Sequence, residues 1–161
     1  MADIIKIPNK ILSNKTELAK VKDIKDGSFK ELILEMRRSM KDHQGIGLAA
    51  NQIGKNISIF VIEPILAQES GIQDVYINPE ITEYSKDEDE VEEGCLSIPE
   101  YYIPTRRSKK IKIKFIDESG EKKKLRVRGF AARVLQHETD HLNGTVIKDR
   151  FRSVSSRQIK K

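Results

Sequence analysis

Two histidines and a glutamate lie close together in Gln136-His137-Glu138-Thr139-Asp140-His141. His137 and His141 are spaced i, i+4, which on a helix puts both imidazoles on one face, one turn apart. Two rings so placed can bind one metal ion. Glu138 is rotated about 100° from His137, so its carboxylate can stand beside that ion without binding it. Metal-assisted hydrolysis needs this arrangement: ligands on one face and a base within reach. The plainer reading is a core helix with hydrogen-bonded structural histidines. The glutamate at this spacing weighs against it.

The neighbouring residues support a helix. Phe130, Ala131, Val134, Leu135, His141 and Leu142 fall near one stripe at helical spacing. Asn143-Gly144 supplies a C-terminal stop.

A catalytic metal usually has three protein ligands and one open position. The third could come from an acidic residue nearby, a further histidine or a cysteine. Asp140 and Asp149 are near in sequence. Asp140 points about 60° short of His141, a direction suited to orienting a ligand rather than being one. His43 is the only other histidine and Cys95 the only cysteine. His43 ends a helix, where its ring meets the helix C-terminus favourably, and it is not expected to be a ligand. Cys95 follows Gly94, which lets the backbone approach closely or adopt positive φ. A lone cysteine is most often a small buried hydrophobe. The two-histidine site awaiting a ligand favours Cys95 as a thiolate instead.

A glycine cluster reads Gly45-Ile46-Gly47-Leu48-Ala49-Ala50-Asn51-Gln52. It lacks the Gly-Lys-Ser/Thr ending of a phosphate-binding loop and the third glycine of a dinucleotide fingerprint. Small residues here suggest tightly packed backbone presenting the Gln52 amide. Such an amide is a competent donor to a developing oxyanion. On its own, the segment reads more simply as a tight helix-to-strand turn.

Taken together, the three segments resemble the peptide deformylase family. That family carries Gly-x-Gly-x-Ala-Ala-x-Gln, then Glu-Gly-Cys-x-Ser, then Gln-His-Glu-x-Asp-His-Leu. All three occur here in order, at Gly45 to Gln52, Glu93 to Ser97 and Gln136 to Leu142. The resemblance runs from the first helix to about Asp149. It implies a metal-dependent hydrolase that removes the N-formyl group from the initiator methionine of new polypeptides.

The resemblance also implies roles. Cys95, His137 and His141 would bind one divalent metal, natively Fe²⁺ in many members, with Zn²⁺, Ni²⁺ or Co²⁺ as substitutes. Glu138 would be the general base and acid. Gln52 and the backbone N–H of Leu96 would bind the formyl oxygen. Ile46, Val91, Phe130 and Val134 fall where the family lines its methionine pocket. The backbone of Gly47 falls where substrate main chain is hydrogen-bonded, and Gly94 joins the substrate-binding set. The departures lie outside the chemistry. Pro8-Asn9-Lys10-Ile11-Leu12 replaces the family's common Asp-Pro-x-Leu-Arg, and Tyr102 stands where many members place an arginine. The long final helix of some members is expected to be missing.

Composition fits this picture. The chain has 161 residues, 37% hydrophobic and 34% charged, which suits one globular domain. The expected division is a single catalytic domain over 1–149 and a short basic tail over 150–161. No apolar run approaches the length of a membrane span. No secretion signal or organelle leader is visible at Met1 to Lys6. One cysteine precludes an intrachain disulfide framework. A cytoplasmic monomer is expected. The net charge of +5 invites a nucleic-acid reading. However, the lysines of Lys109 to Phe115 alternate with apolar residues, as in a half-exposed strand. No stacking-aromatic motif accompanies them, and no specific DNA binding is expected. The expected partners are formyl-methionyl nascent chains, with a weak ribosome contact through the basic tail.

The elements that must position the site can be read coarsely. Ser28 to His43 predicts a helix, with Ser28 and Glu31 as a capping box. Ile57 to Ile62 and Val75 to Ile77 predict short strands punctuated by Pro64 and Pro79. Glu63 to Gly71 and Ser85 to Asp89 read as loops. Lys110 to Asp117 and Lys123 to Arg128 predict a hairpin. The result is an α+β domain: mostly antiparallel strands around a C-terminal metal-binding helix, with an N-terminal helix. Two rival functions are a His-Glu-x-x-His metallopeptidase and a catalytically silent deformylase-like binding module. The first is disfavoured by the placing of the thiol, the second by the presence of both Glu138 and Gln52.

Overall fold

The computed structural model describes residues 2–150. Three helices open the chain: α1 (Lys10–Ser13), α2 (Val21–Lys25) and α3 (Lys30–Asp42). Strand β1 (Gly47–Ala49) runs into a 3-10 turn (Ala50–Ile53), followed by β2 (Ile59–Ile62), α4 (Pro64–Ser70) and β3 (Val75–Tyr84). Strands β4 (Glu88–Cys95), β5 (Ile98–Ser108), β6 (Lys110–Ile116) and β7 (Lys122–Arg128) precede α5 (Gly129–Leu142). The order β1-β2-β3-β6-β7 forms one antiparallel sheet, and β4-β5 form a second, two-stranded one. This is the expected α+β architecture.

The larger sheet has two apolar faces where it is covered. Phe60, Ile62, Tyr76, Ile113 and Phe115 point to α5 and pack on Ala131, Leu135 and Leu142. Ile59, Val61, Val75 and Ile77 point the other way, toward Ile33, Met36 and Met40 of α3. The alternation follows from the period of two along a strand. Helix α5 is therefore enclosed: every residue from Ala131 to Leu142 is buried. Gly129 turns the chain from β7 into α5 at φ +71°, a conformation that side-chain-bearing residues avoid. At the far end Gly144 lies so close to Ser13 that an added Cβ would sit 2.6 Å from its carbonyl oxygen.

Four local expectations need correction. The expected loop Glu63–Gly71 contains α4. Glu63 caps it by accepting from Leu66 N at 2.8 Å, Pro64 stands in its first turn, and Gly71 closes it at φ +67°. Pro early and Gly late are helix boundary residues as much as breakers. The expected Ser28 cap is absent. Ser28 N instead donates to Asp26 Oδ1 at 2.9 Å, and α3 begins after Phe29 without a side-chain cap. Strand β3 passes through Pro79 and continues to Tyr84. It does so by slipping register between Ile77 and Glu80, beside Asn78 at φ +51°, the irregularity at which a proline is tolerated. The end of the expected loop Ser85–Asp89 belongs to β4, which pairs with β5 from Glu88↔Ser108 onward.

Candidate active site and metal centre

Helix α5 delivers the two histidines, and the hairpin of β4 and β5 delivers the thiol. Cys95 Sγ lies 3.2 Å from His141 Nε2. The rings of His137 and His141 stand 5.0 Å apart, centroid to centroid. One donor atom from each of Cys95, His137 and His141 lies within 4.8 Å of the others. A soft sulfur with two imidazoles is a donor set suited to Zn²⁺ or Fe²⁺ and unsuited to Mg²⁺ or Ca²⁺. Three ligands also leave the open position that a catalytic site requires.

The electrostatics of these groups agree. Burial pushes the Cys95 thiol up, but the charge of His141 and hydrogen bonds from His137 and His141 outweigh it and hold the thiol well below its ordinary value. For His137, burial disfavours the charged ring, and the bonds to Cys95 and Glu93 reverse that effect. A deprotonated thiol and neutral imidazoles are the forms in which such a set binds a metal.

Glu138 is 3% exposed. Its Oε1 is buried without a hydrogen-bond partner among the described residues, and its Oε2 is 4.0 Å from His137 Nε2. Burial raises its carboxyl above the ordinary value, partly offset by the two histidines. The carboxylate fits against bare backbone: a Cβ added at Gly47 would lie 2.5 Å from Glu138 Oε2. The glycine cluster thus makes room for this side chain.

Gln52 is held from both ends of its amide. Oε1 accepts from Ala49 N at 3.0 Å, and Nε2 donates to Ser97 Oγ at 3.1 Å. The same Nε2 is 3.7 Å from Cys95 Sγ. This places a fixed amide donor beside the thiol.

These groups open onto a cleft of about 520 Å³. Every sequence-predicted site residue lines it except His141, which is buried behind at 1% exposed. Ile46, Val91 and Phe130 are about half exposed at its mouth, and Val134 is buried. Phe130, at the start of α5, faces the cleft. Apolar side chains gathered around a few convergent polar groups are the composition of a ligand pocket. Gly94 lies under the Tyr102 ring, whose Cε1 would be 2.9 Å from an added Cβ. His43 lines the cleft margin and makes its ring contact, 2.8 Å, with Ser39 O; it does not join the metal cluster.

One orienting residue escaped the sequence reading. Glu93 Oε1 is 2.8 Å from His137 Nδ1, so Glu93 is the carboxylate that fixes this ring. Arg107 binds Glu93 through Nε and Nη2, both at 3.0 Å, and Arg133 binds it from α5. Burial pushes the Glu93 carboxyl up, and its bonds from His137 and Arg107 prevail and hold it at about 2. Asp140, the residue expected to be suited to orienting a ligand, instead accepts from Arg107 and from Arg150 Nε at 2.6 Å. The detectable signal for Glu93 was its position two residues before Cys95. In a strand, that spacing puts both on one face.

Comparison with known proteins agrees with this geometry. The family model described as polypeptide deformylase matches residues 1–157. A peptide deformylase of Prochlorococcus marinus (strain AS9601) is 42% identical over 152 residues, covering 94% of this chain and 74% of the relative. The crystal structure of peptide deformylase from Thermotoga maritima superposes with a TM-score of 0.84 at 37% identity, covering 94% of this chain and 97% of that one. A peptide deformylase from Synechococcus elongatus, solved in complex with actinonin, gives 0.83 at 33% identity, covering 93% and 78%. With its three motifs converging on one cleft and its match to the family model nearly end to end, the chain belongs to the peptide deformylase family.

Proposed function

We propose that Cys95, His137 and His141 hold one divalent metal, and that Glu138, Gln52 and the Leu96 N–H carry out the hydrolysis beside it. The chain is an enzyme that removes the N-formyl group from the N-terminal methionine of new polypeptides and releases formate. The observation that best supports the residue roles is Glu138: a buried carboxylate with an unpartnered oxygen, set beside the Cys-His-His cluster and facing the cleft.

When bound, the metal supplies Lewis acidity for attack of water on the formyl carbon. Glu138 takes a proton from the attacking water and returns it to the departing amine as the C–N bond breaks. The Gln52 amide and the Leu96 N–H donate to the formyl oxygen as negative charge develops on it. Ile46, Val91, Phe130 and Val134 receive the methionine side chain. Strand β1 is an edge of its sheet, so its backbone at Gly47 can bind extended substrate as an added strand. Gly94 keeps the cleft wall open to that chain.

Ferrous iron is the proposed native metal, with Zn²⁺, Ni²⁺ or Co²⁺ able to replace it. The proposed setting is the cytoplasm, with the chain acting as a monomer. No described helix is long and apolar enough to cross a membrane. Residues 1–149 are proposed as one catalytic domain. A weak ribosome contact is proposed for the basic tail, whose residues 151–161 lie outside the described ones; equal pelleting with ribosomes before and after its removal would dismiss it.

The deciding experiment is formate release from a formyl-methionyl tripeptide, with protein kept anaerobic and supplied with iron or nickel. Acetyl-methionyl peptide and an unmodified protein serve as comparison substrates. Formate release from the first alone supports the reading. Internal cleavage of the protein would favour a metallopeptidase instead.

A further inference from the structure

The face of β6 and β7 turned away from α5 carries a ladder of cations. Ile111, Ile113, Phe115 and Val127 point into the α5-side core. The alternate positions therefore point to the other face. Across the two strands, the paired residues on that face are Lys110↔Arg128, Lys112↔Arg126 and Lys114↔Lys124, with Lys122 beyond. Like charges directly opposite each other are destabilising. Glu80 and Glu83 of β3 offset Lys114 and Lys112 at 3.2 and 2.5 Å. Lys110, Lys122, Lys124, Arg126 and Arg128 form no ion pair among the described residues.

Protection of a sheet edge explains part of this. β7 is an edge strand, and lysines on an edge discourage pairing with other chains. The explanation does not extend to β6, which is paired on both sides and still carries cations opposite cations. Helix α3 packs on β1 and β2, and Lys110, Lys114, Lys122, Lys124, Arg126 and Arg128 are exposed.

We propose that the β6–β7 ladder binds the phosphodiester backbone of a nucleic acid, independently of base sequence. Successive cations on one strand are about 6.8 Å apart, two residues of antiparallel rise, and the β7 row of Lys122, Lys124, Arg126 and Arg128, joined by Lys110, carries positive charge with no ion pair among the described residues. None of the exposed large hydrophobic residues lies on β6 or β7. The face therefore lacks the aromatic platform that would stack bases and the apolar side chains that would enter a bilayer. Charge is its only means of recognition, and a polyanion is the complementary partner. The Arg128 end of the ladder adjoins the start of α5 in sequence, while the ladder itself lies on the face of the sheet opposite that helix.

The test uses the full chain, a fluorescent single-stranded RNA of mixed sequence, its DNA counterpart, and vesicles containing phosphatidylglycerol. Wild type should bind both nucleic acids, with affinity falling steeply as salt rises. The variant pairs Lys124→Gln/Arg126→Gln and Lys110→Gln/Arg128→Gln should each weaken binding about tenfold at low salt. Each should also reduce the slope of log K against log salt by about 1.4, at about 0.7 per lost phosphate contact. The pair Lys20→Gln/Lys55→Gln removes the same charge elsewhere and should leave affinity within about twofold. Both ladder variants should keep short-peptide activity and an undiminished Tm, because they remove repulsion from an exposed face. Equal loss in the ladder and control variants would reduce the effect to net charge and overturn the proposal. So would absent nucleic-acid binding, or binding to vesicles alone.

Discussion

Glu93 Oε1 lies 2.8 Å from Nδ1 of His137 and leaves the other ring nitrogen to face the thiol site. One carboxylate thereby fixes the direction of a ring in the Cys-His-His cluster. Glu93 also pairs with both Arg107 and Arg133 in a nearly solvent-free interior. Orientation of the ligand and cohesion of the β4–β5 hairpin with α5 thus share a single side chain.

Glu93→Gln should therefore show two separate losses. Metal affinity should fall about 10–100-fold, the usual effect of removing such a supporting partner. Stability should fall by about 3 kcal/mol, the low end for a broken buried pair, because Arg107 keeps Asp140 and Arg133 keeps Asp89. That corresponds to a Tm lower by about 6–12 °C. Competition with a metallochromic chelator and thermal unfolding measure the two losses.

Gln52→Leu should lower kcat about 10²–10³-fold if its amide serves the oxyanion. The same change leaves Ala49 N without its buried acceptor, costing about 1–3 kcal/mol. Steady-state formate release, measured well below the variant's own Tm, separates the chemical effect from unfolding. An unchanged kcat would remove Gln52 from the mechanism.

Gly47→Ala should displace Glu138 without touching a metal ligand, since the new Cβ would lie 2.5 Å from Oε2. Activity should fall while metal content stays at the wild-type level. Metal analysis and formate release on one preparation check both halves.

Leu135→Ala should cost about 2–5 kcal/mol, as expected for emptying a fully buried leucine site. The loss should appear in chemical denaturation as a lower midpoint at unchanged m. Metal stoichiometry in the folded protein should not change.

The metal centre was largely legible in the residues because its chemistry is local. His137, Glu138 and His141 declare themselves by helical spacing, and Cys95 is the only thiol available. The support around them is not local. Glu93 looks like one more acid in an acidic strand until β5 brings Arg107 beside it, 14 positions later. Asp140 sits next to a ligand in sequence but turns to Arg107 and Arg150. The β4–β5 sheet was obscured because its strands are mostly exposed and polar, which leaves no apolar alternation to read. Helix α4 was missed because its boundary residues, Pro64 and Gly71, also mark loops.

The most direct test is anomalous diffraction from crystals of protein loaded with a single divalent metal, paired with formate release by Glu138→Ala. The predicted result is one strong peak bonded to Cys95 Sγ, His137 and His141 in wild type and variant alike, with turnover lost in the variant. A peak elsewhere, with Cys95 remote from it, would contradict the metal centre. A variant that keeps its metal and its full rate would contradict the role of Glu138.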